Sequence, residues 1–148
     1  MKFKDFKLFT LIDEQNRFVV SYCVEGVEKI QLEAYMNNGE LVFVLKILDE
    51  ALRCKGIGRE VFLTIVEKFG SDNIRSIRGS WHADAEFSEF EDGMSTNLLI
   101  FKSKLGIFTP EEAAFCTPTG KWAGSIGFQK VKVLVNTVKS VEVQFLKG

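Results

Sequence analysis

One histidine, His82, and three cysteines, Cys23, Cys54 and Cys116, are the only imidazole and thiol ligands among 148 residues. No Cys-x-x-Cys pair occurs, so no structural zinc site is expected. The widely spaced, odd-numbered cysteines read as reduced thiols rather than a disulfide framework. Long apolar runs are missing too. The longest, Leu41 to Leu48, is broken by Lys46 and falls far short of the roughly 20 residues that a membrane-spanning helix needs. Nor does one sign of charge prevail. Nineteen Lys+Arg against twenty Asp+Glu leave a formal net charge of −1, which supplies no sequence-independent pull toward nucleic acid or an anionic membrane. The segment Met1-Lys2-Phe3-Lys4-Asp5-Phe6-Lys7 has lysines but no following apolar core, so it does not read as a secretory signal, and a cytoplasmic location is expected.

What is present is enough to fold. Hydrophobic residues make up 46% of the chain and charged residues 26%, and the length suits a single domain spanning residues 1–148. The first half reads as an antiparallel meander. Aromatic and β-branched residues mark strands over 6–12 and 17–24, followed by a Glu25-Gly26 turn. From Glu28 to Met36, Ile30, Leu32, Ala34 and Met36 alternate with Lys29, Gln31, Glu33 and Tyr35, the period of a half-buried strand. Asn37-Asn38-Gly39 ends it, because Asn and Gly tolerate the positive φ of a tight hairpin. The run 41–48 predicts a strand covered on both faces and central in its sheet. Val61, Phe62, Ile65, Val66 and Phe69 then share one helical face, with Gly70 as the stop. A strand over 74–81 completes a strand, helix, strand order that predicts a parallel crossover. A polar stretch at 83–93 and a helix over 94–105 follow. Thr109-Pro110-Glu111-Glu112 marks a helix start, and a further helical piece is expected from Thr119 to Ile126 after a break at Pro118. Strands over 129–135 and 141–146 close an α+β fold with a mixed, mostly antiparallel twisted sheet.

The most informative stretch is Arg53-Cys54-Lys55-Gly56-Ile57-Gly58-Arg59, set between an apolar strand and an amphipathic helix. Closely spaced glycines let backbone N–H groups converge, and the following helix N-terminus adds a positive dipole end; together these cradle a phosphate. Arg53, Lys55 and Arg59 add charge there. The alternative is a plain strand-to-helix turn that needs small residues. The spacing is neither that of the P-loop nor that of the dinucleotide fingerprint.

Arg53-x-x-Gly56-x-Gly58 in this setting resembles the acyl-CoA pyrophosphate loop of the GNAT superfamily of N-acetyltransferases. Gly120-Lys121-Trp122-Ala123 leading to Ile126-Gly127-Phe128 and a strand is similar to that superfamily's helix ending in Gly-Phe before its sixth strand. The resemblance covers roughly residues 28–146. It implies an acyl-CoA-dependent N-acyltransferase with a GNAT-like fold, acetyl-CoA as cosubstrate, and a small amine or peptide as acceptor. It further implies that amides from Cys54 to Arg59 hold the pyrophosphate and that the pantetheine arm lies where strands 41–48 and 74–81 splay apart. Two features depart from the superfamily. Only Asp13 to Asn16 stands where it usually has two helices, and the place of its frequent general-acid tyrosine, within 97–101, holds Phe101.

Amine acetylation needs a base within reach of the acceptor. His82 ends a strand that borders the implied acyl pocket, and an unperturbed imidazole pKa of about 6.5 suits the task; the alternative is a surface or packing histidine. Asp49 and Glu50, at the end of the apolar strand, are the other candidates, and Glu33 ranks below them. Cys116 lacks an orienting partner and reads as a small buried thiol rather than a nucleophile. The fourteen phenylalanines read as core filling, with Phe87, Phe90, Phe101 and Phe108 the candidates for lining a pocket. A noncatalytic module of the same fold that binds a ligand or partner is the alternative function. No metal is expected, and the oligomeric state stays open, a homodimer being one outcome because exposed sheet edges pair between subunits in such folds.

Overall fold

A computed structural model describes residues 3–52, 56–82 and 96–148, the side chain of Glu50 excepted. The polar stretch expected at 83–93 lies outside the described residues, as do Phe87 and Phe90 within it. Contacts divide the chain into two compact units, Met1–Ile74 and Arg75–Gly148.

In the first unit β1 (Lys7–Asp13), β2 (Arg17–Val24), β3 (Val27–Asn37) and β4 (Glu40–Ile47) form the expected meander, each pairing antiparallel with the next. Residues 14–16 join β1 to β2 directly, with no helix between them. The turns Glu25-Gly26 and Asn38-Gly39 place both residues at positive φ, 52° and 80° in the first and 51° and 83° in the second. That is the turn whose twist matches the flanking strands. Alternation along the strands sends Phe18, Val20, Tyr22, Ile30, Leu32, Ala34 and Leu41 to one buried face. The helix α1 (Ile57–Phe69) buries Val61, Phe62 and Ile65, and its Phe62 ring meets that of Phe43 at 5.7 Å. Lys68 ties it to the meander by pairing with Asp13 and lying over the Phe18 ring.

β4 departs from its expected double coverage: Leu41 is buried and the rest of the strand only half-buried. On one of its faces the cause lies in its register with β3. Val42, Val44 and Lys46 stand opposite Tyr35, Glu33 and Gln31, so one face of an apolar run belongs to a polar surface.

In the second unit β7 (Ser140–Leu146) lies between β5 (Ser76–His82) and β6 (Lys130–Asn136), again antiparallel on both sides. Among the described residues three helices accompany it: α2 (Thr96–Lys104), α3 (Pro110–Cys116) and α4 (Pro118–Ser125). Thr109 and Glu112 cap α3 reciprocally. Pro118 does not break the chain before α4, as the sequence suggested, but begins it. Thr117 is the N-cap, accepting from the Gly120 amide at 3.0 Å, and proline fits the first helical position, where its missing N–H has no partner to lose. Gly120 is required by packing, since a Cβ there would sit 2.0 Å from the Ala114 carbonyl oxygen. Trp81 packs on Phe101 and Phe115 on Phe145, at ring separations of 6.0 and 5.3 Å. The chain is thus α+β, with mostly antiparallel strand pairing.

Candidate functional site

The glycine loop begins where β4 ends. Leu48 donates its amide to the Lys29 carbonyl at 2.8 Å, and Asp49 then closes a single tight helical turn, Glu50–Leu52, by accepting from the Ala51 amide at 3.0 Å. Its other carboxylate oxygen takes the Lys29 ammonium at 3.2 Å. Both Asp49 oxygens are therefore engaged. Leu52, 5% exposed, anchors the turn in the core. Arg53, Cys54, Lys55 and the side chain of Glu50 lie outside the described residues.

Gly56 is the pivot. It adopts φ 80° and ψ 0°, the left-handed region that favours glycine, and serves as N-cap of α1, where it has no side chain of its own to cap the helix. Its carbonyl accepts from the Glu60 amide at 3.2 Å, which starts the helical ladder. By helix geometry the amides of Ile57, Gly58 and Arg59 have no intrahelical acceptor. They carry the positive end of a 13-residue helix dipole. Ile57 and Gly58 are buried while Arg59 and Glu60 are exposed. A helix start of this kind has the chemistry to bind an anion.

His82 ends β5, in the other unit. Two serine hydroxyls bracket its ring: Ser80 Oγ lies 2.9 Å from Nε2 and Ser140 Oγ 3.0 Å from Nδ1. A neutral imidazole has one N–H and one lone pair, and hydroxyls serve either need. The turn before Ser140 is fixed from behind. Thr137 Oγ1 accepts from the Ser140 amide at 3.1 Å, and the Lys102 ammonium donates to Asn136 Oδ1 at 3.1 Å and to the Thr137 carbonyl at 2.6 Å. Neither serine was a sequence candidate. Ser80 shares a strand face with His82 at a spacing of two and was readable in principle. Ser140 is the cross-strand partner of His82, visible only once the register is known.

The remaining candidates fall elsewhere. Glu33 accepts from Tyr35 and from Arg17, the latter at 2.9 Å. The Tyr35 hydroxyl first, then the Arg17 guanidinium, hold its carboxyl below the usual range, which suits an ion pair more than a base working near neutrality. Phe101, at the place of the superfamily's tyrosine, is fully buried. In the same helix Asn97 Oδ1 accepts from the Thr119 amide at 3.1 Å. Phe108 is partly exposed. Cys23 and Cys116 are free, half-buried thiols, and no group of three metal-ligating side chains occurs among the described residues. Gly127 takes φ 102° and turns α4 so that the Phe128 amide donates to the Ala123 carbonyl at 3.0 Å, with the Phe128 ring fully buried. The Gly-Phe element is therefore a helix stop with a core anchor.

No family model matches the sequence, and no curated protein is similar to it. Solved structures are similar, N-acetyltransferases among them. A GCN5-related N-acetyltransferase from Kribbella flavida is 11% identical, with 89% of this chain and 68% of that one covered at a TM-score of 0.48. A GNAT-family acetyltransferase from Streptococcus pneumoniae is 10% identical over 91% and 69%, also at 0.48. The PaiA N-acetyltransferase of Thermoplasma acidophilum, solved in complex with coenzyme A, is 10% identical over 88% and 61%, at 0.49. At these values the likenesses bear on neither activity nor substrate.

Proposed function

We propose that this chain is an acyl-CoA-dependent N-acyltransferase that moves an acetyl group from acetyl-CoA to an amine of a small molecule or peptide. The observation that carries the reading is the left-handed Gly56 at the N-terminus of α1, an N-cap without a side chain. Amides without an intrahelical acceptor at a helix start are suited to a diphosphate, and the exposed Arg59 brings a cation to the same turn. Arg53, Cys54 and Lys55 complete the proposed cradle with Gly56, Ile57, Gly58 and Arg59.

In this reading the acceptor amine loses a proton as its nitrogen attacks the thioester carbonyl. A tetrahedral intermediate forms and then collapses, breaking the carbon–sulfur bond and releasing coenzyme A, whose thiolate takes up a proton. His82 is the proposed base. With Nδ1–H donated to Ser140, the Nε2 lone pair faces Ser80, and the exposed Ser80 hydroxyl relays the amine proton to it. Glu50 remains the alternative base. Asp49 is the weaker choice, since its oxygens already hold Ala51 and Lys29.

A noncatalytic module that binds the same ligand is the second reading, favoured by the bare β1–β2 hairpin and by Phe101 buried at the tyrosine place. Calorimetry with acetyl-CoA and coenzyme A, paired with a thiol-release assay over an amine panel, separates the two. Micromolar binding with turnover lost in His82→Ala supports the enzyme. Binding without turnover, indifferent to His82→Ala and Glu50→Gln, supports the module. No binding by the folded protein at high micromolar ligand removes both.

A further inference from the structure

A hydroxyl that passes a proton to a histidine can also attack in its own right. Ser80 and His82 lie two residues apart on one face of β5, with Ser80 Oγ 2.9 Å from Nε2. Ser140, the cross-strand partner of His82, lies with its Oγ 3.0 Å from Nδ1. A hydroxyl within reach of a base that a third group orients is the arrangement of an activated nucleophile. The strand beneath is firmly placed. Trp81 points to the opposite face, 5% exposed, with its ring so close over Gly79 that a Cβ there would come within 2.8 Å. All residues of β5 from Ser76 to His82 pair with β7. Ser140 is fixed in turn, its amide donating to Thr137 Oγ1 at 3.1 Å and its carbonyl accepting from the Thr137 amide at 2.9 Å. Groups held on rigid elements keep the geometry that a reaction needs. Ser80 itself is exposed, so an acyl donor reaches it from solvent. Glu142 stands opposite Ser80, and Arg78, two residues before Ser80 on the same face, lies 3.7 Å from Glu142. A carboxylate on this face favours the imidazolium that forms, and a guanidinium favours the oxyanion. All these groups belong to the second unit, so the arrangement is complete without the glycine loop.

From this arrangement we infer that Ser80 is a nucleophile that takes a short acyl group from an activated ester or thioester and yields it to water, a hydrolase activity beyond the amine transfer proposed above. Ser80 Oγ attacks the carbonyl carbon as its proton passes to His82 Nε2. The tetrahedral intermediate collapses with cleavage of the bond to the leaving oxygen or sulfur, which takes the proton from His82, and an acyl ester stays on Ser80. A water then attacks that ester, giving a proton to Nε2. The bond to Oγ breaks, Oγ recovers the proton from His82, and the carboxylic acid leaves. Nδ1–H stays donated to Ser140 throughout, which keeps the Nε2 lone pair toward Ser80.

Two reagents that need no coenzyme A test the inference on the full chain: p-nitrophenyl acetate and, separately, a fluorophosphonate. The expected results are release of p-nitrophenol and a phosphonyl adduct that peptide mapping places on Ser80. Both are lost in Ser80→Ala, and His82→Ala slows both by about 100-fold or more, the low end of what a general base contributes. Ser140→Ala slows labelling, and Ser140→Thr, which keeps the hydroxyl, restores it, a rescue that a packing role alone would not give. Urea unfolding verifies that each variant is folded, which the exposure of Ser80 favours. No adduct on Ser80 of the folded protein overturns the inference. So does ester hydrolysis that survives Ser80→Ala, since it then belongs to the imidazole alone. Either failure leaves coenzyme A binding by the glycine loop as calorimetry finds it, and failure of that binding leaves the Ser80 adduct in place, so the two are distinguishable.

Discussion

Replacing Gly56 with alanine separates the conformational need for glycine from any need for space. At φ 80° an added Cβ would meet no heavy atom within 4 Å, so no clash enters. What remains is the cost of holding an L-residue in the left-handed region, about 1–2 kcal/mol. Gly26 in the β2–β3 turn is the matched control, with the same φ of 80° and nothing within 4 Å. Both Gly56→Ala and Gly26→Ala are expected to lose about 1–2 kcal/mol in urea unfolding, or some 2–8 °C of melting temperature for a chain of this size. Their ligand responses differ. In Gly56→Ala the strained loop is displaced from the geometry that gathers the helix amides, and binding must restore it. Whatever part of that energy the loop sheds by relaxing is spared in unfolding and reappears as lost coenzyme A affinity, up to about 5- to 30-fold when it relaxes fully. Gly26→Ala leaves calorimetric affinity unchanged. Wild-type stability together with wild-type coenzyme A affinity in Gly56→Ala would refute the strain argument itself, and wild-type stability with unchanged affinity in a variant whose loop has visibly moved would refute the assignment of the ligand to this loop.

Two further outcomes bear on the framework around the site. Gly120→Ala drives a Cβ to 2.0 Å from the Ala114 carbonyl oxygen and 2.7 Å from the Phe115 Cα; the resulting backbone shift outweighs alanine's helix preference, and chemical denaturation is expected to show a loss of about 2 kcal/mol or more. Glu33 and Glu28 have native carboxyl pKa values below the usual 4.5, held down first by the hydroxyls of Tyr35 and Ser21 respectively. As pH falls the unfolded chain protonates these groups first, so their stabilisation is present above about 4.5 and is lost as pH drops through the native values. Glu33→Gln should flatten that acid-side decline by a fraction of a kcal/mol in urea titrations at a series of pH values, the small size following from the exposure of the pair.

Local chemistry is legible in the sequence wherever a few consecutive residues fix it. Asn38-Gly39 and Glu25-Gly26 specify their turns because the backbone there requires positive φ. The alternation from Glu28 to Met36 specifies which face of β3 is buried, because side chains on a strand have a period of two. Pro118 misleads because its sequence neighbourhood does not reveal that Thr117 caps the next helix; a proline that starts a helix and one that ends another leave the same local trace. The apolar run in β4 misleads for a different reason. Burial of its second face depends on what β3 sets opposite it, and β3 sets Gln31, Glu33 and Tyr35 there.

The same division runs through the candidate site. Gly56 is readable because the demand for a left-handed residue, and the amides at the helix start that have no intrahelical acceptor, are backbone properties of the loop itself. The constellation around His82 is not, since Ser140 lies 58 residues away and reaches Nδ1 only through the β5–β7 register. Asp49 shows the reverse hazard. A carboxylate at a strand end reads as available chemistry, yet Lys29, 20 residues earlier, and the Ala51 amide hold it as a structural cap. Backbone-borne ligand sites are thus nominated by short motifs, whereas acid–base roles are assigned by cross-strand register. Coenzyme A affinity in Gly56→Ala and turnover in His82→Ala therefore interrogate two independent inferences, and the loss of one leaves the other standing on its own observations.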